Sequence, residues 1–212
     1  MLTSRGTRVF STHQPAIAAY ASDAEGFRRV IRFVHLTIQE PLNRAPAFMR
    51  TIDRGDRTPL WGFKGAADEW FDENYAEVWG ACSAYAEVGD TDGLVAYLSQ
   101  CPGLGLAKGG FVAQLVWGVS GCLDSHNIAR FGLDPNLVRG RKVKRFEAAR
   151  RRAAAYNATC EQLGGTEALW DSWCEYVAGR PGFGTALGAE GVSALHCVAL
   201  GIDVCQQAQV AA

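Results

Sequence analysis

The stretch Cys101-Pro-Gly-Leu-Gly-Leu-Ala-Lys108 constrains this chain more than any other. Two glycines flank one apolar residue, with apolar Leu98 and Cys101 before them and the helix-like run Gly109-Gly-Phe-Val-Ala-Gln-Leu-Val-Trp117 after. A backbone that reverses in so few residues needs positive φ, which glycine adopts without steric cost. The pattern predicts helix, tight hairpin, helix, with bare N–H groups at the start of the second helix, where a phosphate is attracted. Nineteen residues beyond Gly105 stands Asp124, in Cys122-Leu-Asp-Ser-His-Asn127, placed to cap a short helix ending near Phe131-Gly132.

The rest of the chain reads as helix too. Asp23 to Gln39 has apolar residues at 27, 30, 31, 34 and 38, a stripe at helical spacing, and Pro41 ends it. Further helices are expected over about 42–52, 66–88, 92–100 with Asp90 or Thr91 as cap, 141–163 closed by Gly164-Gly165, from 166 onward, and over about 190–200. No strand alternation is long enough to build a sheet, and there is no internal repeat. The expected fold is all-α: two helical lobes with a central cleft, in one unit over 1–212, with a motif-bearing core at about 25–135 and a helical lobe at about 136–212.

Composition removes several classes. No apolar run reaches the roughly 18 residues of a membrane span, and Met1-Leu-Thr-Ser-Arg-Gly lacks the apolar stretch of a secretory signal, so a soluble, cytoplasmic protein without membrane contact is expected. The seven cysteines are scattered without a Cys-x-x-Cys pair, which suggests reduced thiols rather than a disulfide framework or a zinc site. The formal net charge of −1 conceals segregation. Residues 139 to 152 carry eight basic side chains, among them Arg141, Lys142, Lys144 and Arg145, against the single acid Glu147. Residues 68 to 92 carry eight acids and no Lys or Arg. One face is thereby expected to track phosphates and another to repel them, although a basic run is equally a solvated helix face.

The hairpin and the Asp124-Ser125-His126 triplet at this distance resemble the helix-hairpin-helix DNA glycosylase superfamily, specifically over about residues 94 to 131. Leu36-Thr-Ile-Gln39 is similar to that group's early helix, which ends in a glutamine near the displaced base. The resemblance implies double-stranded DNA as partner and no obligate protein partner. It further implies backbone contacts at Gly103, Leu104 and Gly105, with Lys108, Ser125 and Arg130 nearby. Asp124 would stabilise positive charge as the base leaves, with His126 as its support. His35 lies one turn before Gln39, where a histidine has the chemistry of an acid or base and equally that of a buried core residue. The superfamily's iron–sulfur cluster needs four close C-terminal cysteines; here the gaps are 14, 23 and 8, so no cluster is expected, while the hairpin leaves room for a monovalent cation.

Three positions depart from the pattern. Ala107 stands where bifunctional members have a nucleophilic lysine, and Lys108 is rotated by about 100°, expected to face elsewhere. Ala129 replaces the usual arginine, with Arg130 beside it, and Gly109 replaces the usual alanine. The wording Gly121-Cys-Leu-Asp-Ser-His-Asn127 with Gly109-Gly-Phe-Val-Ala-Gln-Leu115 is more similar to the superfamily's phage branch, amino acid:DNA transferases that attach an amine or amino acid to pyrophosphorylated 5-hydroxymethyl pyrimidine in thymine hypermodification. That branch would work in a host cytoplasm with an amine donor. A monofunctional N-glycosylase and a DNA-binding protein without catalysis are the alternatives. The tryptophans read as core at helical spacing, except Trp61, which stands in a loop between Pro59 and Gly62.

Overall fold

A computed structural model describes residues 8–138, 143, 145–180 and 187–203. Within them the fold is all-α, without strands: α1 (Phe10–Tyr20), α2 (Ala24–Leu36), α3 (Ala45–Asp53), α4 (Phe63–Glu87), α5 (Thr91–Gln100), α6 (Gly105–Trp117), α7 (Ser125–Arg130), α8 (Phe146–Gln162), α9 (Gly165–Ala178) and α10 (Gly188–Leu200). None of these helices is long and apolar enough to cross a membrane. Boundaries follow local chemistry. Asp23 and Asp90 cap α2 and α5 through their carboxylates, on Gly26 N at 2.8 Å and Gly93 N at 2.9 Å. Left-handed Gly118 and Gly201 end α6 and α10.

α6 is the central helix. Nine of its thirteen residues, Leu106 and Gly109 to Val116, are buried, and a helix apolar on every side is one enclosed by others. It packs on α5, α2 and α1. Gly109 lets α5 approach: a Cβ there would stand 3.2 Å from Leu98 Cβ and from Ser99 N. α2 buries Phe27, Val30, Ile31, Phe33, Val34 and Leu36 against α4 and α6, each worth about 1.5–3 kcal/mol. One connected hydrophobic cluster takes residues from all ten helices.

Two arrangements depend on partners far away in sequence. α1 has no local side-chain cap; Asp171 on α9 supplies it, accepting Val9 N at 3.0 Å and Phe10 N at 2.8 Å. The chain's beginning is thus fastened to its last third. In the acidic stretch 68 to 92, Asp68 and Asp72 are not free charges, while Glu69, Glu73, Glu77 and Glu87 are exposed. Asp68 and Asp72 on α4 are engaged by Arg32 and Arg57, and Asp72 also by Arg28, in a clamp between α2, α4 and the loop before it. Burial alone would raise the Asp72 pKa, but its arginine contacts outweigh that and lower it.

Candidate active site

The turn between α5 and α6 is built as its glycines predict. Gly103 has φ +80°, and a Cβ there would stand 2.8 Å from His35 Nε2 and 2.9 Å from Ala67 Cβ, so both conformation and space require glycine. Gly105, φ +62°, faces open space. Leu104 is buried and anchors the turn, and α6 begins without a side-chain cap, leaving its leading amides to whatever docks there. His35 underlies this turn. Its ring is fully buried, with Nε2 3.3 Å from Pro102 O and Nδ1 without a partner. Desolvation lowers its pKa, so it is a neutral prop for the turn and does not reach the cleft described next.

A cleft of about 780 Å³ opens between the segment 37–44, α6 and α7 on one side and α9 and α10 on the other. Asp124 and its neighbours Ser125, His126 and Asn127 line it, with Lys108 and Gln114 from α6. Phe111, Trp170 and Trp173 supply aromatic walls. Asp124 is half-buried and caps α7: Oδ1 accepts both His126 N and Asn127 N at 3.0 Å. Oδ2 has no hydrogen-bond partner among the described residues. The cap and the chemistry are therefore compatible, because one oxygen fixes the carboxylate while the other is left to the cleft. Ser125 and His126 are exposed, the His126 ring lying 6.3 Å from that of Trp173. Asn127 donates to Cys122 O at 2.7 Å, and its buried Oδ1 has no partner. Burial pushes the Cys122 thiol up to about 12.

What positions Asp124 lies on α8, where no motif announces it. The Tyr156 hydroxyl donates to Gly121 O at 2.6 Å and accepts Leu123 N at 2.8 Å, entirely in the interior. Next to it Asn157 accepts from Ser120 Oγ at 2.7 Å and donates to Asp92 at 2.8 Å. Residues 120 to 123 are thus pinned on both edges. Tyr156→Phe leaves a buried N–H and a buried carbonyl unpaired, and is expected to cost about 2 kcal/mol of stability, which urea denaturation checks.

The other expected site residues do not all lie together. Lys108 does not face away: it lines the cleft, its Nζ 3.3 Å from Thr37 Oγ1 and 5.3 Å from the Phe111 ring centroid. The 100° step from Ala107 is right, but the cleft is wide enough to include that next direction. Arg130 is partly engaged within the protein. It donates to Ser172 O at 3.0 Å and lies over the Phe131 and Tyr176 rings, tying α7 to α9. Gln39 is exposed at the cleft rim with φ +59°, a costly left-handed backbone for a non-glycine residue. Of the basic run, Arg141, Lys142 and Lys144 lie outside the described residues; Arg145 is exposed just before α8, and Arg150 pairs with Asp90 at 2.9 Å.

Sequence reasoning missed His196 and Gln114. Gln114 donates to Thr166 O at 3.0 Å beside the cleft. His196 lies on the cleft floor among Trp170, Phe33 and Phe111, with Nδ1 3.0 Å from Ser193 O. The spacing of Trp170 and Trp173 was a signal that both share a helix face, but nothing local distinguishes a cleft wall from core. Burial lowers the His196 pKa from the ordinary 6.5 to about 4. The unfolded chain therefore takes up a proton as pH falls below 6.5 while the folded one stays neutral, so stability is lost on acidification. Between pH 7 and 5 the expected loss from this residue is about 2 kcal/mol, and it should disappear in His196→Gln when denaturation midpoints are compared at the two pH values.

No protein-family model matches the chain, and neither a curated protein nor a solved structure matches it.

Proposed function

We propose that the chain is a DNA base-modifying enzyme that takes a nucleotide out of the duplex into this cleft and acts on it through a cation-like transition state stabilised by Asp124. The observation that carries the reading is a carboxylate tied down by one oxygen, with the other free, in a cleft with aromatic walls wide enough for a flat base. An ionised group in such surroundings stabilises developing positive charge far better than in water. In this reading α5, the turn and α6 form a helix-hairpin-helix that meets a phosphate with uncapped amides, and the cleft separates two lobes, one of them carrying α9 and α10.

The preferred reaction is transfer of an amine or amino acid to pyrophosphorylated 5-hydroxymethyluracil in duplex DNA. The amine nitrogen bonds to the exocyclic methylene, the C–O bond to pyrophosphate breaks, and the nitrogen gives up a proton. Asp124 faces the methylene as charge builds there. The second reading is an N-glycosylase, in which the bond from C1′ to the base breaks and water adds to C1′. The cleft position of Lys108 favours keeping it, because an amine in the cleft that holds Asp124 opens the route to a covalent sugar adduct. Nucleoside mass spectrometry separates the two. With pyrophosphorylated duplex and a primary amine, the transferase yields a heavier base on an intact sugar. The glycosylase yields free base and an abasic site, and borohydride trapping on Lys108 shows whether the amine takes part. If neither product forms on any modified or damaged duplex, the enzymatic reading is wrong.

A further inference from the structure

We propose that Trp61 is a stacking platform for an unpaired nucleobase at the mouth of the cleft, an inference that rests on the reading of duplex DNA as the partner. Trp61 is 50% exposed in the loop between α3 and α4, unusual for so large an apolar side chain. It is nevertheless fastened. Its Nε1 donates to Glu40 Oε1 at 3.4 Å, and the Lys64 ammonium stands 4.6 Å from its ring centroid. Lys64 is fully buried and its Nζ makes no hydrogen bond. A desolvated ammonium without an acceptor is costly, and the indole π-face offsets part of that cost.

Burial of apolar area does not explain this arrangement, since half the indole remains in water. A ring held at its edge by a carboxylate and from beneath by a cation is instead presented in a fixed orientation. Glu40 itself lines the cleft, which places the indole at the rim close to Gln39 with its strained backbone. Gly62, at φ +62° with nothing around it, lets the chain turn sharply between Trp61 and α4, and Phe63 on the far side of the turn is also 50% exposed. Exposed Arg44, 3.8 Å from Glu40 in an ion pair, and Lys108 both line the same cleft as Glu40. A flat heteroaromatic ring is the ligand class that matches, because every base has a π-face and stacking needs no hydrogen-bond code.

The test compares two duplexes, one fully paired and one carrying 2-aminopurine opposite an abasic-site analogue, titrated with the full chain and with Trp61→Ala and Trp61→Phe. The expected result is that the native chain prefers the unpaired duplex and quenches 2-aminopurine. Trp61→Ala should lose about tenfold in affinity for that duplex, together with the quenching, and bind the paired duplex unchanged. Trp61→Phe, which keeps an aromatic face over Lys64, should retain part of both and covers the case in which the alanine variant fails to fold. Unchanged quenching and affinity in Trp61→Ala overturn the proposal and leave Trp61 as a lid on Lys64. An equal loss on both duplexes also overturns it, as a general contact. A native chain that binds neither duplex overturns the DNA reading along with it.

Discussion

Asp124→Asn is expected to lower turnover by at least about a thousandfold while leaving the fold and DNA binding in place. The asparagine oxygen can still accept His126 N and Asn127 N, and asparagine caps a helix as well as aspartate does, so α7 keeps its start. What disappears is the negative charge on the cleft side, the part that offsets a cationic transition state. Single-turnover kinetics, filter binding and circular dichroism on one preparation separate these effects. A variant with native turnover removes Asp124 from the chemistry. A variant that unfolds contradicts the expectation that asparagine keeps α7 in place, and makes the Asp124 charge a structural requirement.

A large loss of stability is expected from Gly110→Ala. A Cβ at this position would stand 2.4 Å from Gly121 O and 2.8 Å from the Tyr156 hydroxyl, so α6 and the 120–123 loop must part. Overpacking against backbone that is itself pinned is expected to cost at least about 3 kcal/mol and to lower the midpoint of thermal unfolding by roughly 10 °C. Gly105→Ala is the comparison: its φ of +62° strains a side chain, but no atom obstructs a Cβ, so about 1 kcal/mol is expected. Calorimetry on the two variants should rank them clearly. Equal losses would mean that close approach at Gly110 is not what fixes the loop.

These two glycines also mark what could be read from the chain and what could not. Gly105, Gly118 and Gly164 punctuate helices through their own φ, and Asp23, Asp90 and Asp124 cap through atoms two or three residues away, so α2, α5, α6 and α7 were legible within a few residues. Gly110 shows its purpose only against Gly121 and Tyr156. α1 went unpredicted because its cap, Asp171, is 161 residues away from Phe10. Charge misled in the same way. Asp68, Asp72 and Arg130 read as free charges, yet each is engaged by a partner on another helix. The helical offset of Lys108 from Ala107 was sound geometry, but a sequence does not state how wide a cleft is. Of the candidate site, Asp124 with the turn was visible; the aromatic walls, His196 and the α8 anchor needed the packing.

The central claim is that duplex DNA binds with a base in this cleft, and photocrosslinking tests it most directly. Duplexes carrying a single 5-iodouracil, irradiated with the protein and digested, report the aromatic residues that touch the base. The account predicts an adduct on Trp173, the partly exposed aromatic residue of the cleft, lost when the iodinated base is locked in the duplex by an interstrand crosslink. No adduct at any position of the probe, or adducts confined to residues that do not line the cleft, would contradict it.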